Sequence, residues 1–550
     1  MLVSALIFFS FISVAAPIVG KYISWVYTVE LNFNSIKNLS AKYSQPQEWR
    51  SYFASLMVFN ITCIIGTFII IYFQSYLPLN GNLKEQISFS AIINAAVSFV
   101  TGTFWQSHNP ETQLSIFSHI FAMTMQNFLS GATGIAVFIA FIRGITNNKN
   151  PYIGNFYNDF LRAFVLILLP ISFIIAIILI NYGVPHDFNE SVSYTNLTGR
   201  QSELFVGPIA GQMSIKTFVA NGGSILASSS GHPFEAPSRE VVIFSLFLVV
   251  LMPVAMIFTY GFLVDALKLS WSLYGIIVLV MIISLLVINL GETTYGIPLI
   301  LENNSLTDNF NYSGKELIYD KFPSLMWILS VTISSSGSVN ACLENYSPLS
   351  TIVMFSNLVI SKFVIEGVGA GFFAMLSYLI IAVFLRGLIT GNTANFFGNR
   401  ITINEINYVT IVFLIMPVGV LLLSGITLLS PYAKELITYH GSQAITDITY
   451  NIASNFANNG SGFTGVNLSN NYFNYITALA MFVGRYLIIY YSLAISGSFA
   501  EKQLIRHELN KNNKSNIELS IFLMLTVFMV GTITFLPLII LGPLLEFFNM

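Results

Sequence analysis

The chain has 550 residues, of which 55% are hydrophobic and 9% charged, and its mean hydropathy is +0.72. So few charges cannot cover a soluble globule of this size, which places the chain in a membrane. A formal net charge of -2 without a large basic cluster excludes a nucleic-acid binder, and two distant cysteines, Cys63 and Cys342, exclude a disulfide framework and a thiolate metal site.

Apolar runs long enough to cross a bilayer predict an all-α polytopic fold with ten spanning helices. The first covers residues 1–20. It has no basic residue ahead of its apolar run, so it reads as an uncleaved span rather than a leader, although Val14-Ala15-Ala16 imitates a cleavage site. The next eight pair off as 57–77 with 114–143, 157–181 with 240–264, 270–290 with 350–390, and 406–430 with 473–499. They define four units at 57–143, 157–265, 270–390 and 406–500. The tenth span covers 518–548. Between the members of each pair lies a segment too short or too polar to span, at 87–101, 209–221, 322–336 and 446–459. These read as re-entrant pore helices, which survive at membrane depth only when buried in protein or lining a watery cavity. The asparagine-rich stretch 502–517 reads as a polar linker.

Basic residues set the orientation. Arg143, Lys149, Lys268, Arg386, Arg400, Lys502 and Arg506 fall in or beside loops between units, whereas Glu111, Asp187, Glu190, Glu203, Glu235, Glu302 and Glu316 fall in loops within them. The positive-inside tendency then makes the inter-unit loops cytoplasmic and the pore loops outward-facing, with both termini outside. The segment 21–56, with Lys37, Lys42 and Arg50, belongs inside.

Each pore helix is followed by a short polar, glycine-bearing stretch. The four are Thr101-Gly102-Thr103, Asn221-Gly222-Gly223, Ser335-Ser336-Gly337 and Asn458-Asn459-Gly460. Gly102, Gly222, Gly337 and Gly460 are separated by 120, 115 and 123 residues, the spacing of a fourfold internal repeat. One such loop is only a turn. Four around one axis expose backbone carbonyls that can replace the water shell of a potassium ion, and glycine permits the close approach this needs.

Charges inside apolar spans are costly and mark function by default. Lys362, Glu366 and Arg485 are such charges. Lys362 and Glu366, at i and i+4, either pair with each other or serve the ion path. The adjoining Gly367-Val368-Gly369-Ala370-Gly371 should break its helix near mid-membrane. The six histidines offer no redox ligand set, since His119 alone lies in a predicted span. Neither a G-x-x-x-x-G-K-[ST] loop nor an Asp-Lys-Thr-Gly-Thr motif is present, so the chain is not expected to hydrolyse ATP by itself.

Several stretches together resemble the potassium-binding A subunit of the Kdp-type potassium-transporting ATPase. They are Thr103-Phe104-Trp105-Gln106-Ser107, Glu111-Thr112, Met125-Gln126-Asn127-Phe128-Leu129-Ser130, Asn221-Gly222-Gly223 with His232-Pro233-Phe234-Glu235, and Asn458-Asn459-Gly460-Ser461. Gly367 to Gly371, Phe482-Val483-Gly484-Arg485, Thr534-Phe535-Leu536-Pro537 and Leu541-Gly542-Pro543 add to them, and the resemblance covers nearly the whole chain in one order. It implies a member of the superfamily of potassium transporters built from four helix–pore-loop–helix units around one ion path. The implied selectivity filter is Gly102, Thr103 and Phe104; Asn221, Gly222 and Gly223; Ser335, Ser336 and Gly337; and Asn458, Asn459 and Gly460, with Gln106 beside the first loop. Around Lys362 and Gly369 the resemblance implies a gating loop, and at Arg485 a charge shaping the inner exit. Three departures stand out: Gly102 and Phe104 replace the asparagines expected beside Thr103, Lys362 stands in place of an acid, and Asn392 in place of an arginine.

The implied role is to select external potassium for an ATP-driven uptake complex, as its non-hydrolytic subunit in the cell membrane of a prokaryote. Implied partners are a P-type ATPase catalytic subunit, a single-span accessory subunit and a small membrane peptide. Potassium is the transported ion, and no cofactor is expected. The alternatives are a stand-alone Trk/Ktr/HKT-like potassium channel or symporter, and a membrane-embedded enzyme, which would need convergent acids or histidines at a membrane face.

Overall fold

Helix α1 spans Leu2–Thr28. The first unit follows as α2 (Trp49–Tyr72), a short α3 (Phe89–Val100) and α4 (Ile116–Thr146); the second as α5 (Phe156–Asn181), α6 (Ile209–Phe218) and α7 (Arg239–Leu263). The third contains α8 (Leu267–Thr294), α9 (Lys321–Ile333), α10 (Pro348–Val364) and α11 (Ala370–Thr390), and the fourth α12 (Ile403–Leu429), α13 (Ser442–Phe456) and α14 (Asn471–Ala500). The computed structural model describes residues 2–29, 45–146, 150–189, 191–196, 198–294, 310–315, 321–364, 367, 370–391, 394–396, 399–439 and 441–502, with 522–523, 525–526, 529, 536–537 and 539–549 beyond them.

Among the described residues, eight helices are long and apolar enough to cross a bilayer: α1, α2, α4, α5, α7, α8, α12 and α14. The expected span at 350–390 is instead two helices, α10 ending at Val364 and α11 starting at Ala370. Gly367 lies between them, and Ala370 and Gly371 of the same run open α11. Part of the tenth expected span, 518–521 and 530–535 included, lies outside the described residues. Helix α1 runs past residue 20 because Ile23, Ser24 and Val26 continue its buried stripe. Gly20 lets it approach α7, where a Cβ would sit 2.8 Å from the Ala255 carbonyl oxygen.

The four short helices α3, α6, α9 and α13 are buried nearly all round. In α3 the polar residues Ser90, Asn94 and Ser98 recur every fourth position and so share one face. That face meets the last unit: Asn94 Nδ2 donates to the Asn474 carbonyl and to Thr477 Oγ1, both at 2.8 Å, and Asn474 Nδ2 donates to Ser90 Oγ at 3.2 Å. Helix ends carry local caps, Ser88 on α3, Ser238 on α7 and Asn470 on α14, each accepting from a backbone N–H of the first turn.

Strands occur only as small antiparallel pairs among the described residues. They are β1 (Gln47–Glu48) with β2 (Tyr152–Gly154), β3 (Val192–Thr195) with β4 (Gln201–Leu204), and β5 (Asn395–Phe396) with β6 (Asn399–Arg400). Loops between units lace to one another: Gln47 pairs with Gly154, and Lys502 reaches both the Arg400 carbonyl and Glu405. Loops within units do the same. Lys84 pairs with Glu203 at 3.1 Å, Glu111 accepts from the Ala227 N–H, and Glu344 accepts from Thr464. The two loop sets thus form two separate faces.

Candidate functional site

All four short helices end alike. The residue after the last helical turn, Gly102, Ala220, Ser335 or Asn458, takes a left-handed backbone with φ of 75°, 53°, 57° and 54°. The next N–H, of Thr103, Asn221, Ser336 or Asn459, then bonds back five residues to the carbonyl of Ser98, Lys216, Val331 or Ser454, at 2.9 to 3.1 Å. This six-to-one closure is the glycine-type helix cap. Only the first unit serves it with glycine; Ala220 and Ser335 adopt the same angles at a cost of about 1–2 kcal/mol each. The geometry therefore aligns Gly102 with Ala220, Ser335 and Asn458. Phe104, not Gly102, stands at the position of Gly222, Gly337 and Gly460. The glycine spacing read in the sequence is two residues out of register in the first unit, because there the glycine serves the cap.

Contacts between the loops close a ring. A Cβ on Gly223 would lie 3.2 Å from the Phe104 carbonyl oxygen, and one on Gly222 2.9 Å from Gly337 Cα. A Cβ on Gly337 would run into the Asn459 carbonyl, and one on Gly460 into that of Thr103. Side chains repeat the circuit: Ser336 Oγ donates to the Asn221 carbonyl at 2.8 Å, Asn459 Nδ2 to the Val331 carbonyl at 2.9 Å, and Asn458 Nδ2 to Thr103 Oγ1 at 2.9 Å. Gln106 clasps the first loop to the second, accepting from the Ser224 N–H at 3.0 Å and donating to the Ser224 carbonyl at 2.9 Å. Each loop follows directly on a helix C-terminus, the end that carries about half a negative charge. Four such ends at one ring make it a place for a cation. Phe104 turns its side chain outward, stacking on Phe99 at 5.4 Å, so the first loop offers its backbone alone at that position.

Against one side of the ring, Asn221 Nδ2 donates to Asn127 Oδ1 and Ser130 Oγ, both at 3.2 Å. Gly367, between α10 and α11, donates its N–H to the Ser334 carbonyl at 2.8 Å, and its Cβ position lies 3.1 Å from the Val219 carbonyl oxygen. The glycine-rich break is thus brought to the base of the second and third loops. Gly369 and Glu366 lie outside the described residues, as does the side chain of Lys362. Arg485 is half-buried on α14, next to Gly484, whose missing Cβ admits the Phe456 carbonyl just ahead of the fourth loop.

Glu235, read from the sequence as an outer-loop acid, is buried and paired with Lys216 of α6. The sequence carried one signal of this, a lysine inside a segment otherwise fit for membrane depth. Burial, with nearby His119 adding to it, pushes the His108 imidazole down to about 3, so no imidazolium charge opposes a cation beside the first loop.

The sequence profile of the potassium-transporting ATPase A subunit matches residues 6–548. The chain is 34% identical over 508 residues to the potassium-transporting ATPase potassium-binding subunit of Leptospira interrogans, covering 92% of this chain and 89% of that protein. It is 33% identical over 551 residues to the subunit of the same name from Pseudomonas aeruginosa, covering 98% and 97%. Among solved structures, the potassium transporter TrkH from Vibrio parahaemolyticus is similar with a TM-score of 0.49 and 14% identity, over 73% of this chain and 77% of that one. A profile match over nearly the full length, joined by relatives at a third identity, means that this chain belongs to the family of potassium-transporting ATPase A subunits.

Proposed function

We propose that this multi-pass membrane protein binds and selects potassium from outside the cell and passes it into an ATP-driven uptake complex, of which it is the non-hydrolytic subunit. The closed ring of four loops at four helix C-termini carries this reading. Its ion-facing positions are Gly102 to Phe104, Asn221 to Gly223, Ser335 to Gly337 and Asn458 to Gly460, with Gln106 bracing the first two loops. The units are 57–143, 157–265, 270–390 and 406–500, and the pore loops face outward from the cell membrane of a prokaryote. The break around Gly367 and Gly369, with Lys362, is the gate, and Arg485 shapes the inner exit. A P-type catalytic subunit, a single-span subunit and a small membrane peptide complete the complex. The family match favours this pump subunit over a stand-alone channel or symporter.

Gly222→Asp tests the filter. It puts an anion where Gly337 and the Asn459 carbonyl crowd in, so selection shifts from carbonyl geometry toward a site that also attracts smaller cations. Potassium affinity should fall and preference over sodium should drop about tenfold, a loss of about 1.4 kcal/mol. Ion competition on the purified complex measures it; an unchanged preference in a well-expressed variant removes this loop from the filter.

A further inference from the structure

Behind the second loop lies an ion pair with no contact to solvent. Lys216 Nζ and Glu235 Oε2 are 2.5 Å apart, and both side chains are 0% exposed. Burying two charges costs several kcal/mol each, and apolar residues of similar volume would often serve stability as well. What distinguishes this pair is its connections. Glu235 Oε1 accepts from the Ser224 hydroxyl, and Oε2 also accepts from Ser230 Oγ at 3.1 Å. Ser224 is the residue that Gln106 of the first loop clasps through its backbone. The Ser230 hydroxyl is joined to that of Ser338, the residue following Gly337 in the third loop. The Lys216 carbonyl accepts the N–H of Asn221, which opens the second loop.

One carboxylate thus ties three of the four loops to the C-terminal turn of α6. We infer that Glu235, held by Lys216, is a positioning residue that fixes the spacing of the first three loops and so sets ion selectivity. The inference rests on the reading of the loops as the filter. Glu235 does not touch the ion on this view. It holds Ser224 and Ser230 at fixed separation, and they hold the Gln106 and Ser338 sides of the ring. The pair is neutral as a whole, so its effect is on geometry while both partners are present.

The experiment uses the assembled complex and compares Glu235→Gln, Glu235→Asp and Ser338→Ala. Potassium-stimulated ATP hydrolysis is titrated with potassium, rubidium, ammonium and sodium, separating KM from kcat. Glu235→Gln should raise the KM for potassium and compress the potassium-to-ammonium preference about tenfold, with kcat at saturating potassium changed less. Glu235→Asp keeps the charge and should recover part of the preference. Ser338→Ala removes only the third-loop link, cannot strand a buried charge, and should weaken the preference a few-fold. If Glu235→Gln fails to assemble, Ser338→Ala and Glu235→Asp decide alone. Preference ratios equal to the unaltered complex, with only yield reduced, would overturn the inference and leave the pair a packing feature. Gly222→Asp runs alongside: if it shifts the preference while these variants do not, the positioning role falls alone, and if it too shifts nothing, the filter reading falls.

Discussion

At Gly460 the backbone has φ of 92°, a region that side chains rarely adopt, and its open face meets the Thr103 carbonyl. A methyl group there is opposed twice, by strain and by contact, and the contact lies where the fourth loop closes on the first. Gly460→Ala should therefore raise the potassium concentration needed for half-maximal ATP hydrolysis at least about tenfold. Gly425, inside α12 with nothing within 4 Å of its Cβ position, is the matched control. Gly425→Ala should leave ion response unchanged and slightly favour the helix, by about 0.5–1 kcal/mol. Equal responses in the two variants would remove the tight closure from the account. The glycines were legible in the sequence because composition marks them. Their register in the first loop was not, because capping and close approach both select glycine, and only backbone angles distinguish the two.

At the scale of elements, α3 illustrates why the short helices stay inside. Its three spaced polar residues would be unfavourable against lipid; Ser90 and Asn94 find partners on α14, and Ser98 donates to the Trp105 carbonyl of its own unit. Asn94→Leu would remove this donor from the Asn474 carbonyl, which keeps the Thr477 hydroxyl, at a cost of about 0.5–1.5 kcal/mol. The purified complex should melt at lower temperature, and an unchanged melting point would mean that the stripe holds nothing. The β3–β4 hairpin gives a test of orientation. In a Cys342→Ser background, a cysteine at Ser193 should react with an impermeant thiol reagent in intact cells, and one at Asn512 should not; the reverse pattern would invert the topology. Long apolar runs and short buried helices were legible because hydropathy and length define them. The ends of α1 and α2 were not, since both helices run into polar sequence that packs against protein: Tyr52 of α2, five residues ahead of the expected start at 57, is fully buried and donates to the Ala136 carbonyl at 2.9 Å. The Lys216–Glu235 pair was hidden for a related reason, as the partners lie on opposite sides of the loop and charge in a sequence reads as surface.

On the scale of the whole molecule, the last unit returns to the first. Helix α14 packs against α2, α3 and α4 as well as against α12 and α13, and Ser496 occupies the space left open by Gly144. A ring closed in this way gives each loop two neighbours, so it belongs to all four units together and no single unit can form it. On the proposed reading the closed ring is a selecting device, and the sequence carries no visible source of work. Neither a phosphate-binding loop nor an aspartyl-phosphate motif occurs in the 550 residues. Uphill uptake then requires hydrolysis on another subunit, coupled to release from the ring. The purified chain alone should show no potassium-stimulated ATP hydrolysis, whereas chain isolated by a tag under mild conditions should bring with it a partner of P-type ATPase size and acquire that activity. Robust hydrolysis by a preparation proven free of other subunits would sink the division of labour. A chain that conducts potassium in liposomes at full rate with no partner would point instead to the channel reading.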